Sequence, residues 1–242
     1  MRLLGNKQDK EYLIANMRII AVIALIIASL AANAQEDQEY RLEIGGGIGL
    51  TSYQGDLNGS ITANMQPSFT AVAKYKWNPR MAIAATIGYH PIKGDYSKSN
   101  TVYPELPDGK KSFSNSIIDI GGRYEYNFWP YGTGNDYRGA KRLTPFLTAG
   151  IGLFVASVKG GTVVATNFPL GGGVKYKIAK RLNVTAEWVM RFTTSDLIDG
   201  VQDPYGITSS GAFKNKDSYS TLQVAVTYDL WAKCRTCHND DY

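Results

Sequence analysis

Eight stretches of this 242-residue chain alternate, residue by residue, between an uncharged face and a face that carries charge. A period of two belongs to β-strands, and it restricts the fold to a sheet whose two sides meet different surroundings. The uncharged positions are every second residue of 42–50, 69–77, 81–89, 118–128, 145–155, 170–178, 182–192 and 222–230. The interleaved positions hold seven basic residues, Arg41, Lys74, Lys76, Arg123, Lys175, Lys177 and Arg191. They also hold five acidic ones, Glu43, Asp119, Glu125, Glu187 and Asp229.

Such a chain closes either as a secreted barrel with an apolar interior or as a membrane barrel with its apolar face on lipid. Three features favour lipid. Aromatic residues gather at the ends of the uncharged faces: Tyr40, Trp77, Phe128, Tyr176, Tyr228 and Trp231 all reach one rim if the first strand runs outward, as an interfacial girdle would. The connections between strands 1–2, 3–4, 5–6 and 7–8 read as long, whereas 2–3 and 6–7 are tight turns, with 4–5 (129–142) intermediate; short inner turns and long outer loops mark outer-membrane barrels. The charged face also carries small residues (Ala82, Ala84, Gly88, Gly150, Gly152, Gly171, Gly173), which relieve crowding inside a narrow barrel. The expected fold is therefore an all-β, eight-stranded antiparallel up-and-down transmembrane barrel in the cell outer membrane, itself monomeric and in contact with outer-membrane lipid. A mean hydropathy of −0.22 is no objection, because a membrane barrel hides its lipid face in alternate positions.

The ends of the chain are read separately. Met17-Arg18 opens a basic stretch, Ile19 to Leu30 is an apolar run of about a dozen residues, and Ala32-Asn33-Ala34 supplies a small-x-small cleavage pattern. The run falls short of the roughly 20 residues of a spanning helix. Residues 1–34 are thus expected to be a signal peptide with an extended n-region, 35–231 the barrel and 232–242 a short periplasmic tail. Removing the signal, with four basic and two acidic residues, lowers the net charge from +5 to +3, too mild to suggest a nucleic-acid partner. With near-balanced charges in a tight lumen, paired ions are expected to plug the barrel and general porin activity is not expected.

Particular strings carry a family resemblance. Tyr53-Gln54-Gly55-Asp56-Leu57-Asn58 follows a glycine-rich first strand, Thr194-Ser195-Asp196-Leu197-Ile198-Asp199-Gly200-Val201 follows the seventh, and Asn215-Lys216-Asp217-Ser218-Tyr219 leads into the last. Over roughly 40–231 the chain resembles the PorG-like outer-membrane proteins of Bacteroidota. The resemblance implies an eight-stranded barrel belonging to, or descended from, a type IX secretion machinery. There it would anchor periplasmic ring and lipoprotein components to the outer membrane and serve protein transport. The family also has members outside secretion loci, so an independent structural or adhesive surface barrel acting through its outer loops stays open.

Candidate sites are few. The inner connection 129–142 is aromatic and then basic, and Trp129, Tyr131, Tyr137, Arg138, Lys141 and Arg142 suit contact with a periplasmic partner; a girdle tryptophan followed by a solvated turn is the plain alternative. Tyr53, Gly55, Asp56, Leu57, Ser195, Asp196 and Asp199 form the family-motif loops. Asp56, Asp196 and Asp199 could share Ca²⁺, but aspartates capping backbone N–H groups in turns are the stronger expectation. Cys234-Arg235-Thr236-Cys237-His238 has the spacing of c-type haem attachment. With four residues after His238 and no second axial ligand nearby, a Cys234–Cys237 disulfide in an oxidising compartment is expected instead, and no cofactor. His90 falls near the membrane edge, where a small lipid-acting enzyme would place a base beside Ser112 or Ser114; nothing fixes such a dyad, and a non-enzymatic barrel is expected.

Overall fold

The computed structural model describes residues 39–55, 62–95, 112–134, 139–158, 161–200 and 216–232. Eight strands run in chain order: β1 (Tyr40–Gln54), β2 (Gln66–Asn78), β3 (Met81–Asp95), β4 (Ser112–Asn127), β5 (Leu143–Val158), β6 (Gly161–Lys177), β7 (Leu182–Thr193) and β8 (Ser218–Ala232). Each pairs antiparallel with its sequence neighbour, and β1 pairs with β8 from Tyr40↔Ala232 to Gln54↔Ser218, so the sheet closes. Closure satisfies every strand edge, which is the condition for a sheet to lie in lipid. Among the described residues no helix is long and apolar enough to cross a membrane.

The period-two pattern sorts the side chains. Apolar residues of the belt face outward and are exposed, as with Ile48 at 68% and Ile120 at 60%, while Glu43, Lys74, Asp119, Glu125 and Asp229 are buried on the other face. A water-soluble barrel would show the reverse. The girdle residues Trp77, Phe128, Tyr176, Tyr228 and Trp231 lie exposed at the end that holds the β2–β3 and β6–β7 turns. That end is the periplasmic one, since long loops face outward in outer-membrane barrels. Of the opposite connections, 55–65, 96–111 and 194–217 are long and 159–160 is the exception.

The strands, at 12 to 17 residues, exceed the 9–11 or so that a tilted membrane strand needs. The excess lies at the outer end, where the alternation inverts. Ile92, Ile117, Phe154 and Ala156 point inward there and are fully buried, whereas Lys93, Ser114 and Ser157 point outward into exposure. Above the bilayer the wall meets water, so the apolar face turns to the interior. Two expectations are corrected here. The 5–6 connection is not long: β6 begins at Gly161, not near Leu170, and residues 159–160 alone separate it from β5. The added stretch pairs with β5 from Gly152↔Asn167 to Val158↔Gly161, and its inward Val163 and Ala165 pack on the outer apolar cluster.

The two environments predict different costs for the same change. Ile120→Arg, in the lipid belt, should destabilise the barrel by roughly 2–4 kcal/mol, and Ser114→Arg, on the protruding wall, by less than about 1 kcal/mol. Urea unfolding in phosphatidylcholine vesicles, followed by tryptophan fluorescence, measures both.

Candidate functional site

The lumen is filled by charge, arranged in a lower and an upper group. In the lower group Lys76 Nζ lies 2.8 Å from Glu43 Oε2 and 2.5 Å from Asp229 Oδ1. Lys177 completes the Asp229 pairing and donates to Asn183 Oδ1 at 2.9 Å. Glu125 lies between two lysines, Lys175 at 2.6 Å and Lys74 at 3.2 Å. The Phe146 ring sits 4.5 Å from Lys175 Nζ, an apolar floor for the network. Arg123 donates to Glu187 Oε1 at 3.1 Å, and Gln223 donates to the same carboxylate.

The upper group centres on Asp119, which accepts from Arg191 Nε at 2.7 Å and from the Tyr219 hydroxyl at 3.1 Å. His90 Nε2 stands 3.4 Å from Asp119 Oδ1, and its Nδ1 is 3.2 Å from Thr51 Oγ1. A Cβ on Gly88 would lie 2.2 Å from His90 Nε2, so glycine there is what admits the imidazole. His90 stands at the height where the lipid belt of β3 ends, beside Tyr89, but its side chain is fully buried in the lumen. Ser112 and Ser114 are exposed on the opposite face of the wall, so no serine–histidine dyad forms.

Both mouths are closed. At the outer mouth the three family strings converge. The Tyr53 hydroxyl is 2.5 Å from Asp217 Oδ1 and 3.0 Å from Asp199 Oδ2. The Ile198 amide donates to Asp217 Oδ2 at 3.0 Å, and Asn115 Nδ2 donates to the Ile198 carbonyl at 2.7 Å. Ser195 Oγ accepts from the Leu197 amide, and the Ser195 carbonyl accepts from the Asp217 amide. These bonds press Ile198 onto the cluster of Tyr53, Ile92, Ile117, Phe154, Ala156 and Tyr219. Gly55 is required because a Cβ there would stand 2.0 Å from the Tyr53 hydroxyl. Gly200, with φ 82°, takes the left-handed turn that ends the motif.

A phenol has one proton and so donates to one carboxylate; the other contact needs a carboxyl proton. Burial first, and then the Asp199 carboxylate beside it, push the Asp217 carboxyl well above its ordinary range, which supplies that proton. Asp199 and Asp217 thus hold the 194–200 segment to β1 and are used for turn and latch bonds. Among the described residues no group of three or more His, Cys, Asp or Glu side chains could hold a metal ion.

At the inner mouth the β4–β5 connection folds across the opening. The Tyr131 amide donates to the Pro79 carbonyl at 3.0 Å, and the Tyr131 hydroxyl donates to Asn183 Oδ1 at 2.9 Å. Its ring lies 5.5 Å from Lys177 Nζ and 5.8 Å from Lys76 Nζ. Burial, followed by the Glu43 and Asp229 carboxylates, pushes its phenol far above the ordinary value.

The expected site residues therefore divide. Glu43, Asp119, Arg123, Glu125, Glu187 and Arg191 lie buried in the lumen. Arg41 does not: it is exposed at the inner rim. Tyr131, expected to meet a partner, is instead buried as the inner lid, while Trp129, Lys141 and Arg142 are exposed on the same connection. Tyr137 and Arg138, Asp56 and Leu57, and Cys234 and Cys237 lie outside the described residues. Sequence reading missed Asp217, Asn115 and Asn183 as working groups. Asp217 was within reach, since it sits in the third family string; nothing in the pattern distinguishes the other two.

A closed eight-stranded barrel with a lipid-facing apolar belt and a charged, sealed lumen defines an outer-membrane β-barrel protein. The family model for the outer membrane protein beta-barrel domain matches residues 20–229, and the chain belongs to that family and to the outer membrane. No curated protein matches it. Among solved structures it is similar to Neisserial surface protein A, with 16% identity, a TM-score of 0.49 and 78% of this chain covering 97% of that one. It is also similar to the N-terminal barrel domain of Pseudomonas aeruginosa OprF, with 13% identity, a TM-score of 0.45 and coverage of 80% and 100%. For Ail of Yersinia pestis the values are 11%, 0.41, and 80% and 100%.

Two predictions follow from the lumen and its outer latch. Removing Glu125 takes the ion-pair partner of Lys175 and leaves Lys74 with Glu43 at 3.8 Å alone, so Glu125→Ala should cost about 3–5 kcal/mol in vesicle unfolding. At the outer mouth, protonated Asp217 fits the latch, so its stabilising contribution is complete at low pH. It is lost as pH rises from the ordinary carboxylate range through the raised value. Hydrogen exchange of the Ile198 amide should then accelerate beyond its intrinsic pH dependence, by about tenfold for each unit of displacement. Asp217→Asn should abolish that excess.

Proposed function

We propose that this protein is a non-catalytic, non-conducting barrel that anchors a periplasmic assembly, of the type IX secretion kind, to the outer membrane. The observation that carries the reading is the sealed lumen. With ion pairs along its length, Tyr131 across one mouth and the Tyr53–Asp199–Asp217 latch across the other, the surfaces are left to do the work. Kinship with PorG-like barrels, through the strings around Tyr53, Ser195 and Asp217, supports the secretion role. The contact surface would be the β4–β5 connection, which presents Trp129 and Arg142 to the periplasm and includes Tyr137 and Arg138. A lipid-acting enzyme built on His90 finds no support in this geometry, since the imidazole faces Asp119 inside the barrel.

A second reading, an independent surface barrel, draws on the outer end. There the protruding wall and apolar cap form a braced platform beneath the outer connections, of the sort that loop-borne recognition needs.

The deciding experiment is a mild-detergent capture of the tagged protein from its own outer membranes, followed by mass spectrometry. Under the anchor reading a periplasmic lipoprotein and ring components accompany it. Replacing residues 134–140 by a short Gly-Ser link, with Tyr131 retained, should remove them while the barrel stays folded. Recovery of the barrel alone from membranes with an intact secretion machinery would move the function to the outer loops.

A further inference from the structure

Among the described residues the exposed charge of the periplasmic rim is basic. Antiparallel topology brings the start of β1, the β2–β3 and β6–β7 turns and the β4–β5 connection to the same end. The basic side chains there are Arg41, Arg80, Lys141, Arg142, Lys180 and Arg181, all exposed except the half-buried Arg80. Among the described residues the acidic groups at this end are the lumen carboxylates, which are buried and paired with lysines and Arg123, and Glu39, which accepts from Thr133. Outside the lumen, Glu39 is thus the carboxylate that the described rim sets against these six cations.

Placement decides what these cations face. Arg181 lies 5.5 Å above the Tyr40 ring. Lys141 Nζ lies 4.7 Å above the Trp129 ring. Arg80 is held against the β4 end by its Nη1 bond to the Phe128 carbonyl at 2.7 Å. Each is therefore tied to an aromatic residue of the girdle or its border, and girdle rings sit at headgroup depth. Arg80, Lys141 and Arg181 thus stand at the girdle and not over the mouth, which Tyr131 already fills.

We propose that this rim is a binding surface for the phosphate groups of anionic phospholipids in the periplasmic leaflet, and that it fixes the depth of the barrel in the membrane. Aromatic rings hold the acyl–headgroup boundary, and the guanidinium and ammonium groups immediately beyond it meet phosphate oxygens. Arginine does so through paired N–H donors. The surface adjoins the β4–β5 face assigned above to a protein partner at Trp129 and Arg142, whereas Arg80, Lys180 and Arg181 lie on other turns and work whether or not that partner exists.

The test uses the full-length barrel in phosphatidylcholine vesicles containing trace spin-labelled phosphatidylglycerol or spin-labelled phosphatidylcholine, with electron spin resonance reading the motionally restricted fraction. Phosphatidylglycerol should associate at least threefold more strongly than phosphatidylcholine at low salt, and the preference should shrink at 1 M salt, where the Debye length is about 3 Å. The combined Arg80→Gln, Lys141→Gln, Lys180→Gln and Arg181→Gln variant should show equal association of the two lipids. The single Arg181→Gln variant should show an intermediate ratio, which keeps the test decisive if the combined variant fails to fold; heat-modifiable gel migration reports folding. Equal association in the unaltered protein overturns the proposal, as does an unchanged preference in either folded variant. So does a rim that retains an acidic periplasmic protein while showing no headgroup preference. Loss of the lipid preference together with normal capture of periplasmic partners would support the lipid surface and leave the anchor reading standing.

Discussion

A charged interior and an apolar exterior lock each other in place, and the rest of this molecule depends on that pairing. A strand can slip by one residue only by turning its whole set of side chains over. Here a slip of β2 would carry Lys74 and Lys76 into the bilayer and Ala73 and Tyr75 into the lumen. The same slip would strand Glu43, whose counter-ions those lysines are, and leave Glu125 and Asp229 with one lysine each. Each loss is of the order of several kcal/mol. Register is therefore set from both faces at once, a stronger specification than a soluble sheet with one indifferent face receives.

Three layers fill the bore from the periplasm outward: a tyrosine lid, an ionic middle and an apolar cap. Their order follows from what surrounds the wall at each height. In the belt the outside must be apolar, so the inside carries the polar residues, and the buried charges are tolerable because they are multiply paired and hydrogen-bonded. Above the belt the outside meets water, and the interior can be a conventional apolar core of Ile92, Ile117, Phe154 and Ile198. Tyr219 spans the junction. Its ring packs in the cap while its hydroxyl reaches Asp119 of the ionic layer, so the two layers share a member and should open together.

The belt was legible in the sequence because a single rule, apolar at every second position, holds through eight segments. The strand ends were not, for the reason that inverts the pattern. Beyond Tyr89 on β3 and Val155 on β5 the apolar positions move to the other parity, and a reader following one parity stops there. The missing half of β6 is partly the same effect, with Val163 and Ala165 inward and Thr162 and Thr166 outward, although Val164 keeps the outward parity and is exposed. Arg41 was misplaced for an opposite reason. Its parity is that of Glu43, but it is the second residue of β1 and exposed, and parity decides burial only within the paired length of the wall. Tyr131 was misread because a tyrosine in a connection looks like a surface residue; that it folds back over Lys76 and Lys177 depends on the distance across the mouth, which no local pattern records.

The residues that carry the family resemblance have structural occupations. Tyr53 and Asp199, with Asp217 from the third string, form a hydrogen-bonded latch, Gly55 clears space for the Tyr53 hydroxyl and Gly200 makes the turn. A chain that keeps these strings keeps a closed outer mouth, whatever it does in the membrane. Such strings therefore argue for a shared way of sealing a barrel more directly than for a shared partner. What separates a secretion anchor from a free-standing surface barrel must lie in chain the latch does not use. On the inner side the part that fits is the β4–β5 connection: one of its residues, Tyr131, is committed to the lid, and Trp129 and Arg142 are left facing the periplasm. A barrel that needed only to close that end could have used a turn as short as Asn78–Met81, so the extra length is where a partner's requirements would be written.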